Sequence, residues 1–257
     1  MLAALPALPG PDLRDGHVAP YVLASPTSKA LHFSIGETQS RMLLHDPTAL
    51  DLAYTRTMMG FLLFVPEPRS IAMIGLGGGS LAKFCYRYLA RTRIHVVEIN
   101  PHVIALRDEF QVPPDDERLT VELGDGAAFV RRRAPGPDVL MVDGFDSQGL
   151  PPDLSSQRFY DDCAALLAPP SIFVANLHAQ VDGDRQLRRI RRSFGAGVLV
   201  VDDADHSNRI VFACRGSAFH PLPAGLVRRP LQLEDAAGHQ LRAAYAQVLR
   251  ALRHVSR

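Results

Sequence analysis

An excess of charge of either sign is missing from this chain of 257 residues, where Lys+Arg 28 and Asp+Glu 27 leave a formal net charge of +1. That balance needs no polyelectrolyte partner, so whole-protein attraction to nucleic acid is not expected. Cysteine is scarce. Cys85, Cys163 and Cys214 each sit inside an apolar stretch without a close-spaced partner. They read as small core residues in a reducing compartment, which excludes a disulfide frame or a zinc site. The histidines lack metal-ligand spacing, so no metal is expected. No apolar run approaches the roughly 18 residues that span a bilayer. Residues 1–15 are rich in Pro, Ala and Leu but have no basic n-region. They read as a disordered leader and not as a signal peptide, and the expected location is the cytoplasm with no membrane partner. Internal repeats are absent too.

What is present is an ordinary apolar share of 47%, enough for a sizeable core. The length suits one full α/β domain plus a small appendage, because domains cluster near ~100–200 residues. Residues 30–35 and 39–44 are strand-like runs around Gly36-Glu37-Thr38, a hairpin signal. A helix over residues 48–64 follows, capped by Asp46 or Thr48 and ended by Pro66 and Pro68. Apolar strands are then expected at 70–74, 94–99, 119–123, 139–142, 172–177, 198–201 and 209–214. Helices alternate with them at 81–89, 101–110, 127–133, 157–167 and 184–194. Unbroken apolar strands alternating with helices predict a doubly wound, mainly parallel seven-stranded sheet covered on both faces. The last two strands are expected to form an antiparallel hairpin at the sheet edge. An amphipathic helix over 233–255 packs on the domain or on a second copy. The expected organisation is a leader (1–15), a β element with its linking helix (16–66), a Rossmann-like domain (67–216), and a C-terminal linker and helix (217–257).

Gly75-Leu76-Gly77-Gly78-Gly79-Ser80 follows a strand and opens a helix. Glycines here let the backbone approach a ligand and turn the helix N-terminus toward it. Glu98 ends the next strand, where a carboxylate can accept both hydroxyls of a ribose. Either feature alone is weak; together they favour nucleoside binding. Gly124-Asp125-Gly126 follows the third strand, placing an acid for an adenine amino group and a glycine, Gly126, along which the ring can slide. Glycine loop, ribose acid and adenine acid point to an S-adenosylmethionine-type ligand over NAD, whose folds prefer Gly or Ala where this chain has Ser80. The bland alternative for Asp125 is a helix N-cap, and the two roles can coexist.

The strand 139–142 runs into Asp143-Gly144-Phe145-Asp146. In a doubly wound sheet this carboxyl end lines the ligand crevice. Two carboxylates three residues apart suit a cationic amine, one taking a proton from the attacking nitrogen and the other holding a distal ammonium. Amines resemble lysine, with a pKa near ~10, so a base and desolvation are needed to expose the lone pair. The alternative is that both acids merely form a turn. The arginine-rich stretch 185–192 reads as a solvated helix, since Leu187, Ile190 and Phe194 share one apolar face.

These motifs together resemble the spermidine synthase (polyamine aminopropyltransferase) family from about residue 34 to residue 214. The resemblance rests on Gln39, Tyr54, the loop from Gly75 to Ser80, Val97-Glu98-Ile99-Asn100, Gly124-Asp125-Gly126, Asp143-Gly144-Phe145-Asp146 and Phe159-Tyr160. It implies a small N-terminal β element, a Rossmann-like S-adenosylmethionine-dependent methyltransferase fold and a homodimer. It further implies transfer of an aminopropyl group from decarboxylated S-adenosylmethionine to a polyamine such as putrescine, releasing methylthioadenosine, with the donor a co-substrate and not a tightly bound cofactor. On this resemblance Asp143 is the general base, Tyr54 orients the amine and Asp146 anchors its far nitrogen. Gln39, Gly75, Gly77, Gly78, Gly79, Glu98, Asp125 and Gly126 hold the nucleoside. The chain departs from the family at Gly78, where the family loop carries an acid, in the turn Ser147-Gln148-Gly149-Leu150, and in the short segment 202–208. Two alternatives stay open: a methyltransferase using intact S-adenosylmethionine on the same fold, and a non-catalytic nucleoside-binding relative.

Overall fold

A computed structural model of the chain describes residues 13–14, 16–34, 38–132, 135–145, 149–178, 183–202, 208–215 and 235–255. A two-residue antiparallel pair, β1 (Leu13–Arg14) and β2 (His17–Val18), precedes a three-stranded antiparallel sheet. Its strands are β3 (Tyr21–Ala24), β4 (Ser28–His32) and β5 (Ser40–Leu43). The β4–β5 pairing, with Leu31 opposite Ser40, is the expected hairpin. Strand β3 was not foreseen. Its Leu23 is 53% exposed, which blurs the alternation that would have marked a half-buried strand. The turn into β4 is held by Ser25 Oγ, which accepts the backbone N–H groups of Thr27 and Ser28.

The first helix is shorter than the sequence pattern predicts. Helix α1 covers Ala53–Met58 and tightens into a 3-10 turn, Met59–Leu63. Asp46 does not cap it. Its Oδ1 instead accepts both the amide and the hydroxyl of Thr48, a local turn that competes with helix formation.

The main sheet consists of β6 (Ser70–Ile74), β7 (Arg93–Glu98), β8 (Leu119–Leu123), β9 (Val139–Val142), β10 (Ile172–His178), β11 (Val198–Asp202) and β12 (Asn208–Ala213). Spatial order is β11-β12-β10-β9-β6-β7-β8. All neighbours are parallel except β12, which runs antiparallel to both β10 and β11. Chain order reverses between β6 and β9, and their carboxyl ends open the crevice where ligands of such sheets sit. Successive side chains feed opposite cores, since a strand has period two. Ile71, Met73, Val139 and Met141 point into one core, whereas Ala72, Ile74, Leu140 and Val142 point into the other.

Helices α2 (Ser80–Tyr88), α3 (Pro101–Ile104) and α8 (Asp235–Val255) lie on the first face with α1. Helices α4 (Gly126–Val130), α5 (Pro152–Ser155), α6 (Gln157–Leu166) and α7 (Gly183–Phe194) serve the second. The expected helix 101–110 is regular only through Ile104. Beyond it the amides of Leu106 and Arg107 bond to the i−3 carbonyls of Val103 and Ile104, and the chain continues as turns to Gln111, whose φ of 53° is left-handed and ends the segment. Helix α8 packs on its own domain through Ala237, Leu241, Val248 and Leu252, all essentially buried. Gly60 permits this contact, because a Cβ there would stand 2.8 Å from Val248 Cγ2 and 3.0 Å from Phe212 Cζ. Cys85, Cys163 and Cys214 are free and buried. Among the described residues no helix is long and apolar enough to cross a membrane.

Candidate active site

A cavity of about 750 Å³ opens over the carboxyl ends of β6, β7 and β9. That is large enough for a nucleoside carrying a side chain. The loop after β6 forms its floor. Gly75 has φ +98°, and a Cβ there would collide with the Asp143 carbonyl oxygen, so only glycine lets the two strand ends lie side by side. Gly75 N donates to Val97 O and Asp143 N donates to Ile74 O, both at 2.9 Å, which ties the three strand ends together.

Glu98 lines the cavity at the end of β7 and is 8% exposed. Its Oε2 accepts Leu76 N–H and its Oε1 accepts Asn100 N–H, each at 2.8 Å. Burial pushes the carboxyl pKa up, and those backbone donors oppose the rise. The backbone N–H groups of Ile99 and Gly77 also hydrogen-bond this carboxylate, which fixes it at the strand end facing the cavity. Beside it Ile99 is 52% exposed and lines the same wall, an apolar surface for a flat ring that the sequence reading had not singled out. Asp125 lines the cavity and also caps α4, accepting Ala127 N–H at 2.7 Å. The helix-cap role is therefore observed, and the capping carboxylate also borders the cavity. Gly126 packs on Ile74 so tightly that a Cβ would strike Ile74 Cγ2.

At the other end, Asp143, Tyr54 and Gln39 line the same space. The Tyr54 hydroxyl hydrogen-bonds the Asp143 carboxylate and lies 3.4 Å from the Gln39 carbonyl oxygen. Burial, then the charge of Asp143 and that hydrogen bond, push the Tyr54 pKa well above its usual value. Asn176, a residue the sequence reading missed, donates from Nδ2 to Asp143 Oδ1 at 2.9 Å. It is 3% exposed and lines the cavity, and its Oδ1 has no partner among the described residues. The available signal was a single amide at the carboxyl end of the apolar run Ile172-Phe173-Val174-Ala175-Asn176.

Gly75 and Gly77 line the cavity, whereas Gly78 and Gly79 stand behind its wall, against Ser40 and Phe110 and against Val112 respectively. Asp146 falls outside the described residues, as do residues 203–207 and 216–234. Phe159 and Tyr160 lie on α6 as expected but belong to the core, at 2% and 1% exposure.

The chain matches the Spermine/spermidine synthase domain over residues 51–188. It is 36% identical over 215 residues to a polyamine aminopropyltransferase of Chromobacterium violaceum, covering 82% of this chain and 81% of the relative. Its fold is similar to that of a probable spermidine synthase from Corynebacterium glutamicum, with TM-score 0.65, 20% identity, and coverage of 89% and 91% of the two chains. It is also similar to human methyltransferase-like protein 13 solved with SAH, with TM-score 0.59, 22% identity, and coverage of 79% and 93%.

Proposed function

The chain belongs to the spermine/spermidine synthase domain family, and from that premise we propose that it transfers an aminopropyl group from decarboxylated S-adenosylmethionine to a polyamine such as putrescine. The observation that carries this reading is the meeting of Asp143, Tyr54 and Asn176 in the cavity that Glu98 and Asp125 also line. Glu98 takes the ribose hydroxyls, Asp125 the adenine amino group, and Ile99 packs against the ring. The sulfonium then lies over the loop after β6, because β6 stands between β7 and β9 in the sheet.

The amine nitrogen attacks the methylene carbon attached to sulfur from the side opposite the leaving group. A C–N bond forms, the C–S bond breaks, and its electron pair stays on sulfur as methylthioadenosine leaves. Asp143 accepts the proton that the attacking nitrogen sheds. Tyr54 donates to Asp143, and Asn176 donates to it from Nδ2, so that the two together fix the carboxylate toward the attacking nitrogen. Asp146, assigned by family resemblance, takes the distal ammonium. Holding the pair in place supplies the larger part of the rate, since correct orientation replaces a costly encounter.

The test is an assay of labelled decarboxylated S-adenosylmethionine with putrescine, spermidine and cadaverine. Aminopropyl transfer that disappears in Asp143→Asn supports the reading; no transfer to any amine sinks it. Methyl transfer from the intact donor is the second reading, favoured by the likeness in fold to methyltransferase-like protein 13. Methylated amine as the dominant product would decide for it.

A further inference from the structure

Four acids line the cavity, Glu98, Asp125, Asp143 and Asp153, and neither lysine nor arginine does so among the described residues. A chain of formal net charge +1 thus keeps a negative potential over this cavity, which draws and concentrates cationic ligands. Three of the four carboxylates are already committed. Glu98 and Asp125 accept backbone amides, and Asp143 accepts Asn176 Nδ2–H and the Tyr54 hydroxyl. Asp153 is exposed, and its carboxylate has no hydrogen bond or ion pair among the described residues.

The segment that carries Asp153 is held firmly. Helix α5 is a single turn, and its Leu154 packs over Gly144, where a Cβ would stand 2.6 Å from Leu154 Cδ1. Gly144 directly follows Asp143, so this contact seats α5 at the reacting end of the cavity. Arg189 of α7 donates to Ser155 O at 2.6 Å, and Gln157 Nε2 donates to Arg189 O at 3.3 Å. Asp153 is therefore fixed in position through Leu154 and Ser155, while its own side chain is uncommitted. Phe145 and Pro151 line the same cavity, an apolar surface that suits methylene units.

We propose that Asp153 is a specificity-determining residue of the acceptor subsite, holding an ammonium of the polyamine that does not react while Asp143 faces the nitrogen that does. The inference deepens, and rests on, the reading of the cavity as a site of aminopropyl transfer. It adds an acid from α5 to Asp146, which family resemblance assigns to the same end of the acceptor. The physical basis is charge. Alkyl amines titrate near ~10, so a polyamine keeps a protonated nitrogen beyond the attacking one at neutral pH. A carboxylate without a competing partner gives that nitrogen a charge-assisted hydrogen bond. A monoamine such as butylamine has no second charge and gains nothing from Asp153. The subsite thus takes alkyl amines with at least one further cationic nitrogen, and Asp153 acts on their affinity and not on the chemical step.

Steady-state kinetics of the wild type, Asp153→Asn and Asp153→Glu test this, with putrescine and spermidine as acceptors and butylamine as acceptor or competitive inhibitor. Asp153→Asn is expected to raise KM for both polyamines about three- to tenfold, with kcat within about twofold and butylamine unaffected. Asp153→Glu keeps the charge and should hold KM within about twofold of wild type. The rise of polyamine KM with salt should be shallower in Asp153→Asn, because one screened ion pair is gone. Unchanged KM for both polyamines, or an equal loss for butylamine, would overturn the assignment while leaving aminopropyl transfer intact. Calorimetry of spermidine with protein saturated by methylthioadenosine separates the two levels. If the wild type transfers to no amine but binds spermidine, the reading of the reaction falls. Asp153 then stands if Asp153→Asn weakens that binding about three- to tenfold, and falls if it does not. A wild type that neither transfers to spermidine nor binds it overturns both.

Discussion

The two ends of the cavity are held in different ways. At the nucleoside end the acids are tied to backbone: Glu98 to Leu76 N–H and Asn100 N–H, Asp125 to Ala127 N–H. Those donors lie within a few residues of the acid or on the adjoining strand's loop, so the geometry forms as soon as β6, β7 and β8 pair. At the reacting end Asp143 is held by side chains from remote segments, Tyr54 from α1 and Asn176 from β10. Its geometry exists only once α1 and β10 are both packed. One end is rigid by secondary structure, the other by tertiary contact, and single substitutions should separate them.

The largest separation is expected from Asp143→Asn. Removing the base should lower kcat about 10³-fold, with methylthioadenosine affinity within twofold of wild type by calorimetry. Turnover kept within tenfold would show that Asp143 is not the base. Next is Glu98→Gln. Its new amide hydrogens must face the backbone N–H groups of Leu76 or Asn100, and charge-assisted bonds to ribose are lost. Methylthioadenosine affinity should fall by about 10–100-fold; an unchanged affinity would remove Glu98 from the nucleoside site.

Asn176→Leu should cost about tenfold in kcat while leaving nucleoside affinity alone. A purely structural role would not move the pH profile, but loss of a donor to the ionised carboxylate raises the Asp143 pKa. The acidic limb of kcat/KM should therefore shift to higher pH; a fixed limb would sink the positioning role.

The smallest effect concerns Tyr54. Its folded pKa is raised by burial and by Asp143, so the folded state keeps a proton that the unfolded chain releases near ~10. This stabilisation is complete below that pH and is lost as pH rises through the higher folded value. Tyr54→Phe should melt within about 2 °C of wild type at neutral pH, and its melting temperature should decline less steeply above pH ~10. An identical alkaline decline in both proteins would mean that the hydroxyl is solvated.

Much of this was legible in the chain, for a physical reason that differs from element to element. The seven main strands and the hairpin order of the last two follow from unbroken apolar runs bounded by turn residues, which are local properties. The shortened α1 and α3 were not legible, because Asp46 spends its side chain on Thr48, and just past Ile104 the amides of Leu106 and Arg107 bond to i−3 carbonyls instead of i−4, choices made by a few atoms inside an otherwise helical pattern. Helix α8 was placed correctly in sequence, but its docking on Gly60 depended on a close approach that only packing reveals.

By itself, then, the sequence determined the parallel sheet and the end of the cavity proposed to hold the nucleoside, since a glycine loop, Glu98 and Asp125 sit at successive strand ends and chain order alone brings them together. Only the tertiary structure decided what stands beside Asp143 and what fills the space at Gly78. Those neighbours, Tyr54, Asn176, Ser40 and Phe110, come from segments far apart in the chain. Their meeting is set by how helices and strands pack across the β6–β9 junction, which no local periodicity encodes.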